Sequence, residues 1–205
     1  MEKAGLAQCI IFDLSEVLIA GLVGVEVELT RLLLLPEAEI LSSFGGEGFE
    51  DLLVGRISED AYLQRLIARE GWRIRLAPLK AAIRRNFHRE VAGAVNLLRD
   101  VASRHPVVLL SDHAAEWIAY IQGIHPFLRV FDHAFFSYEL RRTKADPQTF
   151  VQVLDVLSLP PASCLFVDDN PQNVRVAESV GMPGIRFRSA GQLAAELRLR
   201  GLGAS

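Results

Sequence analysis

Five short apolar runs in this 205-residue sequence stop at residues able to do chemistry. Cys9-Ile10-Ile11-Phe12 ends at Asp13, Val107-Val108-Leu109-Leu110 at Ser111-Asp112, and Cys164-Leu165-Phe166-Val167 at Asp168-Asp169. His133 to Phe136 ends at Ser137, with Lys144 seven residues beyond, and Gly184 to Phe187 ends before Ser189. Gathered at one edge, these ends would make a crevice of carboxylates, hydroxyls and an ammonium. Carboxylates are seldom buried unpaired, so two adjacent aspartates closing an apolar strand point to a bound cation. Each residue taken singly also fits a turn or a helix N-cap, where Asp and Ser are favoured. The whole set, in this order and at these ends, favours a site.

Such a set needs a scaffold that brings strand ends together. Continuous apolar runs of four or five residues suit strands buried on both faces, as in a parallel sheet. Helix-period segments lie between them: Ala92 to Ala102, Ala114 to Gln122, Gln148 to Leu157, Asn170 to Val180 and Gly191 to Leu199. Gly181 reads as a C-cap and Pro160-Pro161 as a stop before the fourth strand. Alternating strand and helix implies βαβ units with right-handed crossovers, an α/β Rossmann-like core whose ligands sit at the carboxyl ends of the strands. From about Val17 to Arg89 the alternation stops and apolar residues recur at three and four (Leu29, Leu32, Leu33; Tyr62, Leu66, Ile67; Leu79, Ile83, Phe87). At about 150 residues per domain the chain amounts to roughly 1.4 domains. The expected division is a core of 1–16 and 90–205 with a helical insertion of 17–89.

Composition narrows the partners. The formal net charge of -3 lacks the basic excess that neutralising nucleic-acid phosphates requires. The mean hydropathy of +0.23 is high, but runs such as Leu32 to Leu35 fall far short of the about 20 residues that span a bilayer. Met1 to Gly5 leads straight into the first strand-like run with no signal peptide, so a cytoplasmic, soluble protein is expected. Cys9 and Cys164 read as buried structural thiols, and the five histidines show no metal-ligand spacing. His113 is expected in the first turn of a helix. Trp72, Arg73, Arg75, Arg84 and Arg85 read as a solvated helix face in preference to a cationic lip over a substrate.

The ordered motifs resemble those of the haloacid dehalogenase-like hydrolases. They are Phe12-Asp13-Leu14-Ser15-Glu16-Val17-Leu18, Leu110-Ser111, Lys144-Ala145-Asp146-Pro147 and Val167-Asp168-Asp169-Asn170 with Asn173. The insertion resembles that family's small helical cap, and the closest look is to its glucose-1-phosphate phosphatase branch. The resemblance implies a phosphatase acting on a small phosphorylated metabolite such as a sugar phosphate, as a monomer or homodimer. Asp13 would be the nucleophile, giving an aspartyl-phosphate. Mg²⁺ would be held by Asp13, the Ser15 carbonyl, and Asp169 with Asp168. Ser111, Asp112 and Lys144 would bound the substrate's phosphoryl group, with Ser111 and Lys144 also counted among the catalytic residues and only the backbone N–H of Asp112 facing the ligand.

Three positions depart from the family pattern. Ser15 stands where most of its phosphatases carry a second Asp as general acid and base, work typically worth 10² to 10⁴ in rate. Asp112 stands for a common Asn, and Ala145 for the Pro after the lysine. Ser15 therefore keeps a non-catalytic or weakly active binding or regulatory protein open. The same residue argues against a 2-haloacid dehalogenase, which carries an aromatic residue there, and Lys80 is the only lysine available for a phosphonatase-like Schiff base. Glu16 is expected to contact the surface or the cap.

Overall fold

The computed structural model describes residues 8–203, so the expectation drawn from Met1 to Gly5 lies outside the described residues. Five parallel strands form one sheet in the order β3-β2-β1-β4-β5: β1 Cys9–Phe12, β2 Val107–Ser111, β3 His133–Phe136, β4 Cys164–Asp168 and β5 Gly184–Arg186. This is the Rossmann-like α/β core read from the apolar runs. The chain leaves β1 toward β2 and β3, then crosses to β4 and β5 on the other side. The strand order therefore reverses between β1 and β4, which opens a crevice outside their carboxyl ends. Asp13 and Asp168-Asp169 flank that point.

Alternate residues of each strand serve opposite faces. Cys9, Ile11, Val108, Leu110 and Phe166 pack with Phe150 and Val153 of α9 (Pro147–Leu157) and Ala177 of α10 (Pro171–Ser179). Ile10, Phe12, Leu109 and Val167 pack with Val95 and Leu98 of α6 (Ala94–Ala102), Ile118 of α7 (Ala115–Ile124) and Leu193 of α11 (Ala190–Leu199). Helix starts follow local chemistry: Asp146 and Asn170 accept from the Gln148 and Gln172 N–H groups, each just ahead of a proline at the first helical position. A four-residue helix, α8 (Ser137–Leu140), follows β3, and 3₁₀ turns at Pro126–Val130 and Pro161–Ser163 complete the core.

Between β1 and α6 lie five helices: α1 Val25–Leu33, α2 Glu37–Ser43, α3 Phe49–Leu53, α4 Glu59–Arg69 and α5 Leu76–Phe87. Their apolar interior (Leu29, Ile40, Leu63, Leu66, Ile83, Phe87) is continuous with the cluster on one face of the sheet. The segments entering and leaving the insert run side by side, with Ala20 N donating to Arg89 O at 2.7 Å and Val91 N to Leu18 O at 2.9 Å. Two core elements grip its middle. Ser137 Oγ donates to Leu53 O at 2.6 Å, and Arg141 Nη1 donates to Gly55 O at 2.7 Å. Gly55 has φ +69 and a Cβ there would lie 3.2 Å from Tyr138 O, so only glycine suits this turn. Glu59, fully buried, is held by both Arg84 nitrogens at 2.7 and 2.6 Å and by Trp117 Nε1 of α7 at 2.8 Å. No helix among the described residues is long and apolar enough to cross a membrane.

Candidate active site

Asp13 N donates to Val167 O at 2.9 Å, pinning the end of β1 to β4 across the crevice. The chain then doubles back: Leu18 N and Ile19 N both donate to Leu14 O, at 2.8 and 3.1 Å, and Glu16 adopts the left-handed region at φ 58. The turn is so close that a Cβ on Gly21 would lie 2.6 Å from Ser15 Oγ. Glu16 Oε1 accepts from Gly21 N at 2.8 Å, a contact with the insert.

Lys144 is the centre of the charge arrangement. Its Nζ, fully enclosed, lies 2.7 Å from Asp13 Oδ1 and 2.7 Å from Asp168 Oδ2. The same residue's backbone N–H lies 3.2 and 3.1 Å from the two Asp112 oxygens, so the Asp112 carboxylate is turned onto the Lys144 loop. Asp168 is inaccessible and also accepts from Asn170 N at 2.8 Å and Asn173 Nδ2 at 3.1 Å. Asp169 is half-buried and lines the crevice. One oxygen each of Asp13, Asp168 and Asp169 lie within 4.8 Å of one another.

Four carboxylates thus share one ammonium. Burial pushes Asp13 up to about 8, despite the opposing pull of Lys144 and with a further push from Asp168. Burial, then the Asp168 charge, raises Asp169; burial raises Asp112 as well. Burial works against the Lys144 charge, but Asp13, Asp168 and Asp112 outweigh it and hold that pKa above the ordinary lysine range. A cluster of oxygens short of positive charge fits a hard divalent cation, Mg²⁺ above all, which takes few protein carboxylates. Asp13 and Asp169 are the side chains with the crevice in front of them. Asp168 is already committed to three donors.

Ser111 closes β2 fully enclosed, with Oγ 2.9 Å from His113 Nδ1. His113 Nε2 in turn lies 3.1 Å from Ser15 Oγ. The expectation for His113 is corrected here. It sits ahead of α7, whose N-cap is Ala114, in an extended segment whose N–H donates to Ser137 Oγ at 3.0 Å. Burial, then the nearby Lys144 charge, drives its pKa down to about 3, so the imidazole is neutral. The sequence carries one signal for this histidine, its place two residues past Ser111 at the end of an apolar run. Trp117, Phe49 and Phe87 also line the crevice and carried no such signal. The arginines form no lip over it. Arg84 is spent on Glu59 and Arg85 on Glu28, Arg73 and Arg75 are exposed, and Trp72 is buried inside the insert. Lys80 pairs with Glu59 at 3.1 Å and with Asp60. Cys9 and Cys164 are buried, free and in register on adjacent strands.

A family model of haloacid dehalogenase-like hydrolases matches residues 7–181. Over 64 residues the chain is 38% identical to flavin mononucleotide hydrolase 1 of Arabidopsis thaliana; that stretch is 31% of this chain and 26% of the relative. The chain thus spans about a quarter of that relative's length. In fold it is similar to a HAD family enzyme of Bacteroides thetaiotaomicron solved with magnesium and inorganic phosphate (TM-score 0.72, 21% identity, 89% of this chain and 95% of that one). It is also similar to L-2-haloacid dehalogenase of Xanthobacter autotrophicus with covalently bound chloropropionic acid (TM-score 0.68, 19% identity, 97% and 85%).

Proposed function

The chain belongs to the haloacid dehalogenase-like hydrolases, and on that premise we propose that it is a Mg²⁺-dependent phosphatase of a small phosphomonoester. The observation that carries this reading is the buried Lys144 shared at 2.7 Å by Asp13 and Asp168, with Asp169 alongside at the strand-order reversal. An ammonium so placed holds the Asp13 carboxylate in one orientation and offers positive charge to an arriving phosphoryl oxygen. Asp13 attacks phosphorus, the bond to the leaving oxygen breaks, and an aspartyl-phosphate remains for water to cleave. Asp13, Asp169 and the Ser15 carbonyl would hold Mg²⁺, with Asp168 behind them. Bound there, Mg²⁺ offsets the carboxylate excess and polarises a phosphoryl oxygen. The helical insert of 17–89 is assigned as the cap over this site.

Ser111 is enclosed behind the residues that line the crevice; its assignment to the phosphoryl group rests on the capacity of a hydroxyl to accept from one neighbour and donate to another. With the His113 proton on Nδ1, Ser111 Oγ accepts from the ring and turns its own proton to a phosphoryl oxygen. Nε2 then accepts from Ser15 Oγ. A neutral imidazole behind Ser15 is a poor acid, so release of a basic alkoxide is slow by about 10² to 10⁴ relative to a site with an aspartic acid there. That replacement favours a second reading, a binding protein for phosphorylated metabolites with residual turnover. Phosphate release from a panel of monoesters, with Mg²⁺ and with EDTA, tests the choice. Metal-dependent release that Asp13→Asn abolishes supports the phosphatase. Phosphate binding without release supports the binding protein.

A further inference from the structure

The crevice has a second half that the phosphoryl chemistry does not use. We propose that the substrate's leaving group is a compact apolar or aromatic alcohol, not a polyhydroxylated sugar, a specificity that rests on the phosphatase reading above. The cavity in front of Asp13 holds about 270 Å³, small beside the roughly 300–1,000 Å³ of drug-sized sites. That is space for a phosphoryl group and a single ring. Its far wall is Leu22, Val23, Phe49, Leu53 and Phe87 of the insert together with Trp117 of α7. Every side chain the insert contributes to this cavity is hydrocarbon.

The wall's polar atoms are already spent. Trp117 Nε1 donates to Glu59 at 2.8 Å and presents only ring carbon to the cavity. The Phe87 and His113 rings pack on it at 5.8 and 6.2 Å between centroids. His113 Nε2 is taken by Ser15 Oγ, and Glu16 Oε1 by Gly21 N. Ring hydroxyls turned to this wall would give up water and find no partner among its side chains, the cavity's other polar residues (Glu16, Asn170, Asn173) belonging to the strand ends, whereas ring carbons gain by leaving water. Glu50, an exposed charged side chain of the insert, lies in an adjoining hollow that also touches Phe49 and Leu53.

The test uses two near-isosteric primary-alkyl phosphates, cyclohexylmethyl phosphate and glucose 6-phosphate, which differ by the ring oxygen and hydroxyls while sharing the linkage that is cleaved. Acetyl phosphate, too small to reach the wall, reports phosphoryl transfer alone. For the full chain with Mg²⁺, kcat/KM for cyclohexylmethyl phosphate should exceed that for glucose 6-phosphate by about 100-fold. Phe49→Ser should shrink the ratio to below about tenfold by placing a hydroxyl in the wall. A ratio near or below one, or one that Phe49→Ser leaves unchanged, overturns the inference while the phosphatase stands. No release from any ester, acetyl phosphate included, overturns the phosphatase reading, and the inference falls with it.

Discussion

The two sides of the crevice are built on opposite principles. The floor, at the ends of β1, β2 and β4, is a dense array of charges and short hydrogen bonds around Lys144. The wall, from α3, α5, the segment before α1 and Trp117 of α7, is hydrocarbon, with the Trp117 N–H turned away onto Glu59. Floor residues are fixed by strand register and by one another, so moving one group disturbs several. Wall residues are fixed by packing and exchange more freely. On the phosphatase reading proposed above, the difference separates two tasks: the floor would act on a phosphoryl group whatever it is attached to, and the wall would choose what is attached.

The sharpest way to break that division is to change the floor alone. Asp13→Asn should lower turnover of every ester by at least about 10⁴-fold, as expected when a nucleophile is removed. Its fold should persist, because the amide keeps the shape and removes one of four crowded carboxylates. Steady-state phosphate release and a melting curve check both halves, and substantial remaining turnover would deny Asp13 its role. Lys144→Met acts next most strongly. It leaves Asp13 and Asp168 facing each other without the cation, at a cost of about 3–5 kcal/mol for breaking a buried pair. Urea unfolding measures that loss, and added Mg²⁺ should recover part of it.

Legibility in the sequence follows the same divide. Strand ends are readable because burial on both faces makes a strand a continuous apolar run, and a run that stops at Asp13 or Asp168 announces the change of environment. All five strands, and α6, α7, α9, α10 and α11 to within two residues at either end, follow from strand and helix periods; the four-residue α8 is too short to show one. The insert was readable as helical and no further. Its apolar positions recur at three and four whether they face only the insert's own interior, like Leu66, or line the crevice as well, like Phe87. Periodicity gives a face and not a neighbour. His113 was missed for a related reason: its role depends on Ser15, 98 positions away, coming within 3.1 Å of its ring.

Ser15 is the point where the floor departs from the family pattern, and Ser15→Asp sharpens the comparison by restoring a carboxyl beside Asp13. Turnover of poor leaving groups such as alkyl phosphates should rise by about 100-fold, with little change for acetyl phosphate, whose leaving group needs no proton. A uniform rise across esters would mean that the substitution acts on the phosphoryl group and not on the leaving oxygen.

The smallest effect belongs to the seam between the two regions. Ser137 Oγ accepts from His113 N at 3.0 Å on the floor side and donates to Leu53 O at 2.6 Å on the wall side. Ser137→Ala leaves one buried N–H and one buried carbonyl short of a partner, a cost of about 1–2 kcal/mol. Because Leu53 lines the wall while His113 supports Ser15, a KM and kcat split reads which side depends on the bond. If the seam chiefly holds the wall, KM for apolar esters rises and kcat for acetyl phosphate is kept. A fall in acetyl phosphate turnover with KM unchanged would show instead that Ser137 serves the His113–Ser15 side, and the floor would then reach one residue further into α8.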